Sequence, residues 1–199
     1  MKLYCTSGSP YGRMTRIVVM EKRLESRVEV IFAKTRSAGS PYYDINPSGR
    51  VPYLVRDDGV GFEESQVICA YLDQLDGKPM FGEMDWEARR LEGLARSLLD
   101  GLSVWLRELY RPENERSPGV IAHERDRAGR LFDVWEREVS RPYMRGPLNM
   151  AQLTLACALG IEDRMPELDW RTGHAQLIGW FRPISARPSF VATAPPKGR

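Results

Sequence analysis

The hydrophobic period of this chain changes once, at "DGKPMFG" (76–82), and that change limits the possible folds more than any other feature. Before it, short apolar runs with period two alternate with helical patterns. After it, apolar residues recur at threes and fours, the spacing of one helix face. An α/β unit followed by an all-helical unit is the architecture such a switch describes. The Gly and Pro of the junction read as a linker. The division expected is a first domain over 1–76, a linker over 77–86 and a helical domain over 87–199. At 199 residues, each half is long enough to bury a core of its own.

In the first half, "KLYCT" (2–6) is an apolar strand, and a helix follows from Pro10 to about Leu24. "RVEVIFAK" (27–34) alternates Val28, Val30 and Phe32 with polar neighbours, as a half-buried strand does. "VPYLV" (51–55) and "GVGFE" (59–63) form a hairpin around the turn "DDG". A helix from Ser65 to about Leu75 carries Ile68, Tyr71, Leu72 and Leu75 on one face. The stretch 35–50 is irregular. In the second half, Leu91, Leu94, Leu98, Leu102, Trp105 and Leu109 mark one long helix. Ser117 and Pro118 cap and open the next, whose face is Ala128, Leu131, Trp135 and Val139. "PLNMAQLTLACALG" (147–160) is a nearly all-apolar helix with Asn149 and Gln152 spaced as a capping box. "HAQLIGWF" begins a further helix, which Pro183 is expected to kink or end.

Charge and cysteine usage narrow the function classes. With 29 basic and 27 acidic residues, the net charge of +2 gives no reason to expect a nucleic-acid or anionic-membrane partner. No apolar run approaches the ~20 residues of a membrane span, and the N-terminus lacks a secretory pattern. Cys5, Cys69 and Cys157 are far apart and odd in number, and His123 and His174 lack ligand partners nearby in sequence. Disulfides and a metal site are therefore not expected, and a reducing cytoplasm is the simplest location.

Three short stretches carry candidate chemistry. In "TSGSPYGR", Ser9 stands at an N-cap and Pro10 at the first helical position. A serine there can accept a backbone N–H and still donate its own proton, at a helix end that favours an anion. A plain cap is the ordinary use of such a serine. In "NPSGRVPYL", Val51-Pro52 enters a strand; a cis bond would fix the turn and present the Val51 backbone to a ligand, and a trans turn proline is the commoner form. In "FEESQ", Glu64 and Ser65 open a helix, with Ser65 as N-cap and Glu64 able to pair with an ammonium group.

These stretches, in this order within a β-α-β, β-β-α unit, closely resemble the thioredoxin-like domain of the cytosolic glutathione S-transferases. The helical half resembles the same family: "LACALG" (155–160) fits its buried helix, and "ELDW" followed by "ARPSF" fits the C-terminal segment of bacterial members. The resemblance implies an α/β thioredoxin-like domain with an all-α domain, and glutathione as co-substrate without a metal. Ser9 falls where omega- and zeta-like members carry a catalytic Ser or Cys, and its hydroxyl would donate to the glutathione sulfur; Ser7 is the alternative donor. Val51, before Pro52, would pair its backbone with the cysteinyl moiety. Glu64 and Ser65 would hold the γ-glutamyl group, and Arg50 or Lys34 the glycine carboxylate. Arg13, one turn after Ser9, adds positive potential or is a solvated helix arginine. Tyr11, Trp105 and Tyr110 would line the electrophile pocket, although Trp105 also keeps step with core leucines. Cys5, on the first strand, reads as a buried structural thiol. The family further implies a homodimer. The competing reading is a non-catalytic relative of the same fold that acts through protein contacts.

Overall fold

The computed structural model describes residues 1–82 and 85–196; Glu83 and Met84 of the expected linker and the last three residues of the expected helical domain lie outside them. The chain forms two compact units. One comprises Met1–Phe81 together with the described residues from Arg187 onward, and the other Gly82–Ala186.

The first unit is built on β1 (Lys2–Cys5), α1 (Pro10–Glu21), β2 (Glu29–Phe32), α2 (Tyr42–Ile45), β3 (Tyr53–Val55), β4 (Gly61–Phe62) and α3 (Ser65–Gln74). The strands form a mixed sheet in the order β2-β1-β3-β4. β1 runs parallel to β2 and antiparallel to β3, and β3 is antiparallel to β4. This is the expected thioredoxin-like arrangement. The parallel pair needs a crossover, which α1 supplies; the antiparallel pair needs only the turn before Gly59, where φ is +83°. β1 is central, and Leu3 and Cys5 are wholly buried, as is Leu54 on β3. β2 is an edge strand, so the alternation read there does not bury Phe32, which is 58% exposed beneath the Arg16 guanidinium. The irregular stretch 35–50 contains the single helical turn α2, too short to leave a periodic signal.

α1 stops at Glu21 rather than near Leu24, because Arg23 takes a left-handed conformation (φ 53°). Its Met14, Ile17 and Val18 face the core. Its other faces carry polar groups used within the unit. The C-terminal segment was expected to belong to the helical domain; residues from Arg187 belong instead with the first unit. The cause is a set of bonds to α1. Arg187 donates twice to Glu21, at 2.9 and 2.5 Å, and Ser189 donates to the same carboxylate at 2.5 Å. Arg13 is buried, donates to the Phe190 carbonyl at 2.8 Å, and lies 5.3 Å from the Phe190 ring centroid. Arg13 is thus neither solvated nor a free source of positive potential. It fastens α9 (Pro188–Ala192) to α1.

Glu21 carries a pH-dependent prediction. The hydrogen bonds from Arg187 hold its carboxyl below the ordinary value of 4.5; burial opposes this, and the Ser189 bond adds to it. A folded-state pKa below the unfolded one gives stability that is complete above the unfolded value and lost as pH falls through the folded one. Wild-type unfolding free energy is therefore expected to fall from neutral pH to below the unfolded carboxylate value more steeply than that of Glu21→Gln. Urea titrations at both pH values measure this. Equal slopes for the two proteins would reject it.

The second unit is helical: α4 (Trp86–Leu109), α5 (Pro118–Glu138), α6 (Pro142–Arg145), α7 (Met150–Leu159) and α8 (Ala175–Ser185), with two 3₁₀ turns at Glu113–Glu115 and Gly160–Arg164. α7 is the centre. All ten of its residues are buried, which is why it is apolar all round, and it packs chiefly on α4. Asp85 caps α4, Ser117 caps α5 and Asn149 caps α7 through their side chains. The capping box at Asn149 is only half made. Gln152 N donates to Asn149 Oδ1 at 3.0 Å, but the Gln152 side chain turns to the carbonyls of Tyr143 and Gly146. Those carbonyls are close to a buried amide, which must find partners. On α5, Phe132 rather than Leu131 completes the buried face with Ala128, Trp135 and Val139. α8 continues two residues past Pro183 to Ser185. Among the described residues, no helix is long and apolar enough to cross a membrane.

Candidate functional site

The sheet register determines which expected site residues meet. Cys5 is opposite Phe32 in the parallel pair, so β1 and β2 end together, and Ser9 and Lys34 follow from that end. Tyr4 is opposite Tyr53, so the antiparallel β3 begins at the same end, immediately after Arg50, Val51 and Pro52. Leu54 is opposite Phe62, so β4 finishes there too, just before Glu64 and Ser65. Four loops separated in sequence thus converge on one end of the sheet.

Ser9 is the N-cap of α1. Its backbone is extended (φ −77°, ψ 119°) and its Oγ accepts from Gly12 N at 3.1 Å. That bond occupies a lone pair of the oxygen and not the hydroxyl proton. Ser9 is half-buried, whereas Ser7 is exposed and outside the helix. α1 has no acidic residue in its first turn, so the partial positive charge of its N-terminus is not neutralised there. Gly12 lies against both Ser9 and Cys5: a Cβ added to it would sit 3.4 Å from each side chain. Cys5 is buried beneath this turn, 3.8 Å from Thr15 Oγ1, and burial pushes its thiol up to about 11. It is the buried structural thiol expected, protonated at neutral pH and a poor nucleophile.

The Val51-Pro52 peptide bond is cis. Val51 is half-buried and Pro52 is buried. The loop before it is held by residues that the sequence reading did not single out. Tyr42 Oη donates to the Arg50 carbonyl at 2.5 Å and Asn46 Nδ2 donates to the same oxygen at 3.0 Å. Asn46 Oδ1 accepts from Ser48 N at 3.0 Å, and the Asn46 carbonyl accepts from Gly49 N at 2.9 Å. Gly49 has φ +64°, and a Cβ there would lie 2.6 Å from a Tyr43 ring carbon, so glycine is required twice over. The signal that could have found this turn is "NPSG": an Asn two residues before a Ser and three before a Gly is an Asx-turn pattern.

Glu64, not Ser65, is the N-cap residue of α3, a correction to the expected cap. The chain enters the helix through Glu64 at φ 65°, ψ 119°, and its carbonyl accepts from Ile68 N at 3.0 Å, so Ser65 already lies within the first turn. That backbone lies outside the ordinary left-handed well and stores on the order of 1–3 kcal/mol. The Glu64 side chain is exposed, and Ser65 is buried to 2% exposure. Arg50 and Lys34 are both exposed side chains whose carbonyls are anchored, Lys34 O by Ser40 Oγ at 2.7 Å.

The three residues expected around an electrophile divide between the units. Tyr11 is half-buried in the first turn of α1. Trp105 is a core residue of α4, 4% exposed. Tyr110 caps α4, with the Arg164 guanidinium 5.0 Å from its ring centroid. Among the described residues, no group of three or more His, Cys, Asp or Glu side chains could hold a metal.

Comparison with known proteins agrees with this geometry. Residues 8–75 match the family model for the glutathione S-transferase N-terminal domain. Over 206 residues the chain is 30% identical to Glutathione S-transferase 2 of Saccharomyces cerevisiae, covering 95% of this chain and 87% of that protein. It is 29% identical to the uncharacterized GST-like protein YibF of Escherichia coli, over 99% of this chain and 100% of YibF. Among solved structures, a glutathione transferase family member from Pseudomonas fluorescens Pf-5 with bound glutathione superposes with a TM-score of 0.87 at 31% identity, covering 98% of each chain. The present chain is therefore a member of the glutathione S-transferase family.

Proposed function

We propose that this protein binds reduced glutathione, stabilises its thiolate and transfers it to a small electrophile. The observation that carries the reading is Ser9 Oγ, held at a helix N-terminus by Gly12 N with its proton still available to donate. A free thiol has a pKa of ~8.5 and only its thiolate is a good nucleophile. A hydroxyl donor and the positive end of a helix beside the sulfur both favour the charged form. Val51 pairs its backbone with the cysteinyl moiety, beside cis-Pro52. Glu64 binds the γ-glutamyl ammonium and Ser65 the carboxylate, whose negative charge suits the first turn of α3. Arg50 and Lys34 attract the glycine carboxylate. Tyr11, in the first turn of α1, contacts the electrophile. The active form is a homodimer located in the cytoplasm; the location is supported by three buried cysteines that form no disulfide.

Calorimetry with reduced glutathione tests the reading directly. Binding at or below millimolar concentration is expected. Absence of binding would favour the second reading, a glutathione-transferase-fold protein that acts through protein contacts.

A further inference from the structure

We infer that Tyr42 and Asn46 are positioning residues that set the orientation of the Arg50–Val51 peptide plane and thereby the affinity for glutathione. This rests on the proposal above that the Val51 backbone receives the cysteinyl moiety. The carbonyl of that plane is held by two side chains. On the carbonyl side, Arg50 O accepts from Tyr42 Oη at 2.5 Å and from Asn46 Nδ2 at 3.0 Å. The preceding peptide plane is held as well, because Arg50 N donates to Ser48 Oγ at 3.2 Å. Ser48 Oγ in turn donates to the Glu63 carboxylate, next to Glu64. A single relay thus joins the loop carrying Val51 to the segment carrying Glu64 and Ser65.

The two donors are buried, Tyr42 to 4% exposure and Asn46 to 2%, although Arg50 itself is exposed. A buried hydroxyl and a buried amide aimed at one carbonyl make a stiff support, because losing either bond leaves polar groups unpaired away from water. Burial also pushes the Tyr42 phenol up to about 12, so it remains a donor at any physiological pH. The Tyr42 ring rests on Tyr4 of β1, with centroids 5.6 Å apart, so the support is referenced to the central strand. A peptide plane free to rotate would present the Val51 N–H to the ligand only part of the time. Apparent affinity falls in proportion to that fraction, while chemistry on the bound complex is unaffected.

The test is Tyr42→Phe, which removes one hydroxyl and keeps the ring. Dissociation constants for reduced glutathione are measured by calorimetry, and KM and kcat with an electrophile in excess. The expected result is an affinity loss of about tenfold, the scale of one hydrogen bond, with KM raised to match and kcat within about twofold of wild type. Affinity within twofold of wild type, or a kcat that falls in step with KM, would overturn the inference. If Tyr42→Phe does not fold, Asn46→Asp carries the test, since it removes the other donor to the Arg50 carbonyl and keeps the acceptor for Ser48 N. A loss of more than about twofold in affinity supports the inference, and no change overturns it. Wild-type protein that binds no glutathione would refute the glutathione reading and this inference with it. Binding by wild type and both variants alike would refute the inference alone.

Discussion

Replacing Ser9 with alanine is expected to lower kcat for glutathione conjugation about a hundredfold, in the range found when one preorganised donor to a developing anion is removed. Two losses occur together and can be separated. The cap to Gly12 N disappears, which destabilises the fold by about 1 kcal/mol and lowers Tm by roughly 2–4 °C. The donor to the sulfur also disappears, so the bound thiol titrates at higher pH. The thiolate absorbance of the glutathione complex should shift upward accordingly. Ser9→Asp distinguishes the two. Its carboxylate caps the helix as well as serine does, but places a negative charge beside the sulfur and disfavours the thiolate further. Stability should therefore recover in Ser9→Asp while turnover stays at or below the level of Ser9→Ala. Unchanged turnover and unchanged thiolate absorbance in Ser9→Ala would mean that Ser9 only caps α1.

The parts of the site that sequence made legible are those written in local chemistry. Ser9-Pro10 and Ser117-Pro118 each open a helix where a cap precedes a proline, because both preferences act within one turn. The long helix α4 declared itself through repeated leucines, and the apolar α7 through having no polar face to show. The parts that were not legible depend on partners far away in the chain. Arg13 read as a source of positive potential or a solvated arginine because its acceptor, Phe190 O, is 177 residues distant. The C-terminal segment looked like the end of the helical domain because its proline-started turn is local, whereas its attachment through Glu21 and Arg187 spans 166 residues. Glu64 and Ser65 exchanged places at the start of α3 because propensity favours serine as a cap. The turn from β4 forces a positive φ one residue earlier, and no sequence preference announces it. Tyr42 and Asn46 were hidden in a stretch with no period at all.

Asp73→Ala is expected to destabilise the protein more than any other single change considered, by about 3–5 kcal/mol, or roughly 6–20 °C in Tm. Asp73 and Lys22 have side chains only 4% and 5% exposed, and their charged atoms are 3.4 Å apart. The Asp73 carboxylate also accepts from Met80 N at 2.8 Å and Phe81 N at 3.1 Å, so it terminates the chain leaving α3. Removing it orphans two backbone N–H groups, one of them buried, and takes an anion away from a buried ammonium. Lys22 keeps Asp76 at 2.8 Å and the Lys78 carbonyl at 2.5 Å, which is why the loss is placed within the range for a broken buried pair and not above it. The double variant Lys22→Met with Asp73→Ala removes the stranded ammonium and should recover part of the loss, while the two N–H groups remain unpaired. Thermal unfolding of the three variants decides the matter. If Asp73→Ala melts within about 2 °C of wild type, Asp76 and the Lys78 carbonyl suffice to hold Lys22. If the double variant melts below Asp73→Ala, the Lys22 stem contributes more by packing than its unpaired charge costs.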